Sequence, residues 1–405
     1  MPKSLRSSLF AAIFIFGISF YAIAIEPQPD ISARAAVLMD AKTGAVLYEK
    51  NPSLPHVPAS LTKVMTIHIL LEKIAEGKLS LNQKISPPEE SWAVNLPRDS
   101  SLMFLGPGQK LTVLDLLKGL AVSSGNDAAV AAAIICGGSI PAFADLMNAA
   151  ARNENLDDLF FVEPSGYDEN NRITAMGFAR FLRIYVDRHP EALAALHSLG
   201  EFTYPRPENL SPGITSTPIT QTNRNSLLFS YPGVDGVKTG YLDESGYNIA
   251  LSAAKNDMRL ILVLLGEEGV TPTEGINSRN RDSQRLLDFG FNNFTTKKFD
   301  PPAPETIRVW KGEIEYITPA LPKEIWVTIP LGSENRLRGE ISQTHYITAP
   351  VGQGAVLGGI RITLDEKLVY QGSLTSSRPV ARGSWWDVFI DSVIVFFRDL
   401  FGYPV

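Results

Sequence analysis

Pro58-Ala59-Ser60-Leu61-Thr62-Lys63 is the stretch on which the reading of this chain turns. It opens an apolar-periodic segment in which Val64, Ile67, Leu70, Leu71 and Ile74 fall on one side, and Gly77 closes the segment where a helix end favours glycine. Residues three apart share a helix face, so Ser60 in the first turn has Lys63 beside it. The helix N-terminus also offers backbone N–H groups to a developing oxyanion. Ser60 is therefore a candidate nucleophile and Lys63 its proton acceptor. Ser-x-x-Lys is a chance-level pattern by itself, and it recurs at Ser252-Ala253-Ala254-Lys255. The rest of the chain has to choose between the two copies.

Working outward, residues 34–40 and 45–49 are β-favouring runs around Ala41-Lys42-Thr43-Gly44, which reads as a hairpin. Residues 114–135, 143–152 and 175–188 carry small and aliphatic residues at helical spacing. After Tyr231-Pro232-Gly233 the pattern returns to strands at 235–241, 247–254 and 259–265, followed by a closing helix over 281–289. Strands at both ends of a helical block predict an α+β fold, one antiparallel sheet joined by the N-terminal hairpin and flanked by helices. In that layout Ser252 sits in a strand with Lys255 at the turn beyond, so this second pair shares no helix face.

Lys3 and Arg6 precede an apolar run over 9–24 that ends in Ala22-Ile23-Ala24, which predicts a cleaved secretory signal over 1–24. An uncleaved membrane anchor is the alternative. Either way the mature chain is exported. The catalytic unit is expected over 25–299. Asp300-Pro301-Pro302-Ala303-Pro304 is a linker by composition, and the short alternating runs beyond it predict a small all-β domain over 300–380. In 381–405, Trp386, Phe389, Ile390, Val393, Phe396, Phe397 and Leu400 recur at helical spacing. They predict an amphipathic helix lying in the membrane surface, although Asp387, Asp391 and Asp399 run against the basic bias of such helices.

The bulk numbers narrow the chemistry. The chain has 405 residues, 44% of them hydrophobic, with a net charge of -6. That leaves ample core and no electrostatic reason to expect nucleic acid. Cys136 is alone, in an apolar stretch, and reads as a small buried hydrophobe. His56, His68, His189, His197 and His345 are scattered without metal-ligand spacing, so neither metal nor cofactor is expected.

An activated serine needs a base of depressed pKa, a proton path to the leaving group and an oxyanion hole. Burial or a neighbouring cation suits lysine to the first task. Ser124-Gly125-Asn126 in the helical block and Lys238-Thr239-Gly240 at the head of a strand complete an ordered set with Ser60. Its order and roles are those of the Ser-x-x-Lys, Ser-x-Asn and Lys-Thr-Gly motifs of penicillin-recognising enzymes. Each motif has further copies, Ser-x-Asn at Ser80, Ser278 and Ser333 and Lys-Thr-Gly at Lys42. The Lys42 copy reads as a hairpin turn with a solvated lysine. Only the set Ser60, Ser124, Lys238 places every motif in a suitable element.

With Asp40-Ala41-Lys42-Thr43-Gly44, Pro58 through Thr66, Ser123 through Ala128 and Asp235 through Gly240 in hand, the chain resembles the D-alanyl-D-alanine carboxypeptidases among low-molecular-mass penicillin-binding proteins. The resemblance runs over nearly the whole chain. It implies a β-lactamase/transpeptidase-like catalytic domain, peptidoglycan stem peptides ending in D-Ala-D-Ala as substrate, and β-lactams as covalent inhibitors. It further implies Ser60 as nucleophile, Lys63 as base, Ser124 as relay to the leaving D-alanine and Asn126 on the substrate backbone. Lys238, Thr239 and Arg279 are then expected at the terminal carboxylate, along the Lys238-Thr239-Gly240-Tyr241 strand, with the N–H groups of Ser60 and Tyr241 as oxyanion hole. Three positions depart from the family pattern. Glu163 and Tyr167 replace the common residues of Asn-Pro-x-Gly-Leu, and Leu242 lacks the hydroxyl of a common threonine. Glu163-Pro164 resembles the deacylating loop of class A β-lactamases, which keeps a β-lactamase open as the alternative, together with a wall-binding scaffold that acylates but turns over slowly.

Overall fold

The computed structural model describes residues 28–401, so the expected signal segment 1–24 and residues 402–405 lie outside the described residues. Strands β1 (Ala35–Asp40) and β2 (Val46–Lys50) form the hairpin, and β3 (Val234–Leu242), β4 (Gly246–Lys255) and β5 (Met258–Glu267) complete one sheet in the order β2-β1-β5-β4-β3. All its pairings are antiparallel, with β1 running against β5 from Ala35↔Leu265 to Asp40↔Leu260. Successive side chains of a strand point to opposite faces. Val37, Met39, Ile261 and Val263 accordingly enter the core under the helical block, while Leu38, Leu260, Leu262 and Leu264 enter the core on the other face. Both faces are covered, which is why these strands read as unbroken apolar runs.

A single 3-10 turn (Ala59–Leu61) leads into α1 (Thr62–Ala75), and Gly77 follows it with a φ of +70°. The helical block consists mainly of α2 (Asn126–Gly137), α3 (Ile140–Asn153) and α4 (Ala175–Arg188). The helical pattern expected over 114–135 is interrupted: Val113–Lys118 passes into a π-helical turn at Gly119–Ser123, and Ser124 takes a left-handed φ of +58° before α2 begins. Apolar spacing continues across the break and hides it. The closing helix α5 (Pro272–Asn293) starts well before the expected 281, capped by the Thr271 side chain, because Pro272, Gly275 and Asn277 obscure its first turns.

The second unit is all-β and has two small cores of its own. Phe294–Lys298 precedes the Pro-rich linker yet pairs with Trp326–Pro330, so the chain joins this unit upstream of Asp300. Leu337–Gln343 is a strand with no apolar run behind it; its side chains alternate between half-buried and exposed. The Lys42 turn keeps its lysine exposed, as expected, and also meets the β unit. Lys42 lies 4.8 Å over the Trp326 ring, and Asp40 accepts a 2.7 Å hydrogen bond from Thr296 Oγ1. Helix α6 (Trp385–Phe401) closes the described chain. Its Asp391 is buried, accepting 2.5 Å from the Lys311 backbone N–H, and its Trp385, Trp386, Phe396 and Leu400 face outward.

Candidate active site

Three chain segments converge on Ser60. The first is its own turn, where Ala59 has a φ of +49°; a second non-glycine residue in the left-handed region, Ser124, stands at the start of the second segment. Such conformations persist only where the surroundings over-determine them. The third is β3, the edge strand beside the nucleophile turn. A methyl group on Gly240 would sit 2.8 Å from Pro58 O and 3.1 Å from Ser60 N, so only glycine lets the strand approach this closely.

Lys63 is fully buried and donates three hydrogen bonds, to Ser60 Oγ at 3.0 Å, Asn126 Oδ1 at 2.7 Å and Ser165 O at 2.6 Å. All three ammonium protons thus have acceptors, and one points at the nucleophile. Burial pushes the Lys63 pKa down to about 7, against the nearby charges of Glu163 and Asp127, which raise it; Arg224 lowers it further. Lys238 is also buried and its pKa is held well below the usual lysine range by burial first, then by the charges of Lys63, Arg224 and Arg279. Arg279 on α5 is almost fully buried, with its pKa lowered to about 10 by burial, and its guanidinium donates to its neighbour Asn280 Oδ1. Arg224 and Arg279 therefore bring positive charge close to Lys238, and Arg224 also close to Lys63.

Around this centre a cleft of about 740 Å3 is lined by Ser60, Ser101, Asn126, Tyr241 and Leu242, among others. Tyr241 is exposed, its ring tilted 34° against Tyr247 at 4.4 Å, with its hydroxyl on Asp243. Thr239 and Ser124 are buried beside Lys238 and Asn126 in sequence. Asp127, quoted in the motif but given no role there, accepts hydrogen bonds from the Met103, Leu105 and Ala128 N–H groups, and so fixes the cleft wall next to Asn126. The competing Ser252 lies buried on β4, accepting 2.5 Å from Arg259 Nη1.

Sequence reasoning missed two contributors. Arg224 is held between the buried Asn223 and Asn225, which bond the backbone at Leu199 and Gly236. No apolar pattern marks this polar stretch. Gly166, at a φ of +82°, presses on the nucleophile turn so closely that a methyl group would overlap Ala59 O. Its loop is held by Glu163, whose carboxylate accepts from Ser165 N, Ser165 Oγ, Gly166 N and Asn171 Nδ2 at 2.5–2.7 Å. Those four bonds occupy the carboxylate's acceptor capacity.

A serine paired with a buried lysine, beside an edge strand carrying a second lysine, on an antiparallel sheet flanked by helices, is the design of the penicillin-recognising serine enzymes. The comparisons with known proteins are specific within that class. The chain belongs to the D-alanyl-D-alanine carboxypeptidase family, serine peptidases whose sequence profile matches residues 23–269, and the penicillin-binding protein 5 C-terminal domain profile matches residues 293–382. It is a D-Ala-D-Ala carboxypeptidase. D-alanyl-D-alanine carboxypeptidase DacC of Escherichia coli is 35% identical over 97% of this chain and 95% of its own length. DacA of Haemophilus influenzae is 32% identical over 95% of this chain and 96% of its own. The crystal structure of penicillin-binding protein 5 from Haemophilus influenzae superposes with a TM-score of 0.79 at 32% identity, covering 88% of this chain and 99% of that one. Penicillin-binding protein D2 from Listeria monocytogenes, in its ampicillin-bound form, superposes with a TM-score of 0.55 at 26% identity over 66% of this chain and 100% of its own.

Proposed function

We propose that Ser60 attacks the carbonyl between the two terminal D-alanines of a peptidoglycan stem peptide while Lys63 takes its proton. The observation that carries this is the Lys63 amine 3.0 Å from Ser60 Oγ, with a pKa pushed down to about 7. A base near operating pH is the effective one. The Oγ–carbon bond forms, the peptide C–N bond breaks, and Ser124 passes the proton to the departing D-alanine. Asn126 Oδ1 is engaged by Lys63, which leaves its amide N–H groups for the substrate backbone. Lys238, Thr239, Arg224 and Arg279 receive the terminal carboxylate, and the N–H groups of Ser60 and Tyr241 hold the oxyanion. Water then releases the shortened stem peptide. β-Lactams acylate the same serine and leave it slowly.

The enzyme works outside the cytoplasm after removal of residues 1–24, with the catalytic unit over 25–299, the β unit over 300–380 and residues 381–405 on the membrane surface. Two features of α6 support this anchoring. Asp391 is buried against Lys311 N, and Trp385, Trp386, Phe389, Phe396 and Phe397 are exposed. No single helix among the described residues is long and apolar enough to span a membrane.

The test is kinetic. Purified protein is given a peptide ending in D-Ala-D-Ala and, separately, penicillin. Free D-alanine together with a long-lived penicilloyl adduct supports the assignment. Rapid penicillin turnover makes it a β-lactamase, and an adduct without D-alanine release makes it a scaffold.

A further inference from the structure

Among the described residues, His68, Glu72 and His189 bring one ligand atom each within 4.8 Å of one another. His68 and Glu72 lie one turn apart on α1, and His189 follows the last turn of α4. These histidines are 121 positions apart in sequence, which is why no metal spacing is visible there. His68 Nδ1 stands 3.0 Å from His189 Nε2, and the same Nε2 stands 3.1 Å from Glu72 Oε1.

Hydrogen bonding alone serves this cluster poorly. A neutral imidazole nitrogen is either a donor or an acceptor, so a single proton on His189 Nε2 has to be divided between a carboxylate and another ring. An ion drawn by three lone pairs engages all of them. Metal–ligand bonds of about 2.0–2.1 Å at tetrahedral angles put neighbouring ligand atoms roughly 3.3 Å apart, close to the two edges already present. A cavity of about 210 Å3 opens beside His68 and Glu72 and is lined also by Lys73, Glu76, Glu154 and Arg188, whose Nη1 lies 3.6 Å from the other Glu72 oxygen, Oε2.

We propose that His68, Glu72 and His189 bind a divalent transition-metal ion of the zinc class, with water in the fourth position. The ion ties α1, which starts beside Ser60 and Lys63, to the end of α4. A few residues on, His197 packs behind β3 with its Nδ1 on Val237 O, next to Lys238. The site is thus a staple behind the two lysines, separate from the cleft and independent of the carboxypeptidase chemistry.

The experiment titrates Zn2+ alone into tag-free, full-length protein in detergent, by calorimetry and by competition with a chromogenic chelator. One ion per chain with a Kd below about 10 µM, and a Tm raised by about 5 °C at a hundredfold excess over Kd, are expected. Co2+ in place of Zn2+ reports a tetrahedral site by its visible absorption. Glu72→Gln, at a half-buried position that tolerates the amide, and His189→Gln each weaken Zn2+ binding at least tenfold and abolish that absorption, with metal-free Tm values reporting their folding. Binding weaker than about 10 µM, or Zn2+ affinity unchanged in both variants, overturns the proposal.

Discussion

Glu163→Gln separates two jobs that a glutamate in this loop can have. If Glu163 activates the deacylating water, the amide stalls the acyl-enzyme. The structure gives it another occupation, because its two oxygens accept from Ser165 N, Ser165 Oγ, Gly166 N and Asn171 Nδ2. Glutamine keeps one oxygen and presents an NH2 group in place of the other, so two of the four donors lose their acceptor. At about 1.5 kcal/mol for each hydrogen bond to a charged group, the loop loses roughly 3 kcal/mol, a ceiling of about two orders of magnitude. The loop's Ser165 O is an acceptor for Lys63, and Gly166 presses on the nucleophile turn. The loss therefore falls on acylation. A second signature accompanies it. The charge of Glu163 raises the Lys63 pKa, so the amide moves the acid limb of acylation to lower pH. Stopped-flow acylation by a fluorescent penicillin, with release of penicilloate followed separately, measures both steps. Acylation is expected to fall about 10- to 100-fold, with deacylation changed only a few-fold. Unchanged acylation with a hundredfold slower deacylation would refute this reasoning and make Glu163 the base.

Gly240→Ala forces the edge strand off the nucleophile turn by a few tenths of an ångström, given contacts of 2.8 Å to Pro58 O and 3.1 Å to Ser60 N. Acylation should drop about 10- to 100-fold with the circular dichroism unchanged, whereas normal acylation shows that the approach is dispensable. The Lys63 amine is free only above its depressed pKa. Second-order acylation should therefore rise with pH along a limb centred near 7 and flatten above it; a limb near 10 contradicts the buried base. Trp386→Asp combined with Phe397→Asp removes two outward aromatics of α6, each contributing about 1.5–3 kcal/mol when buried. Vesicle binding should weaken at least a hundredfold while penicillin acylation stays normal, and undiminished binding removes the anchor.

Much of this was legible because local pattern and tertiary structure agree. The β1–β2 hairpin, the helix after Ser60 and the three late strands each carry a periodicity that packing then uses, and Ser60, Lys63 and Asn126 of the ordered motifs share a hydrogen-bonded cluster. Reading failed where backbone conformation departs from pattern. Ser124 interrupts an apolar period that runs on past it, so the motif appeared to lie within a helix when it stands at a left-handed turn before one. Gly166 and Gly240 are needed for close approach to a partner distant in sequence, which no local signal encodes. Arg224 has no hydrophobic neighbours to frame it. The tail's aspartates count against a membrane face in sequence; of them Asp391 is buried against Lys311 N, while Asp387 stays exposed at the helix start with Ser384. His68 and His189 meet only through the packing of α1 against the end of α4.

The choice between two Ser-x-x-Lys copies rests on Ser60 being the acylated residue. Intact mass and peptide mapping after incubation with penicillin test it directly. One penicilloyl group on the peptide containing Ser60, absent in Ser60→Ala along with D-alanine release, is the predicted result. Label on Ser252, or D-alanine release that survives Ser60→Ala, would contradict it.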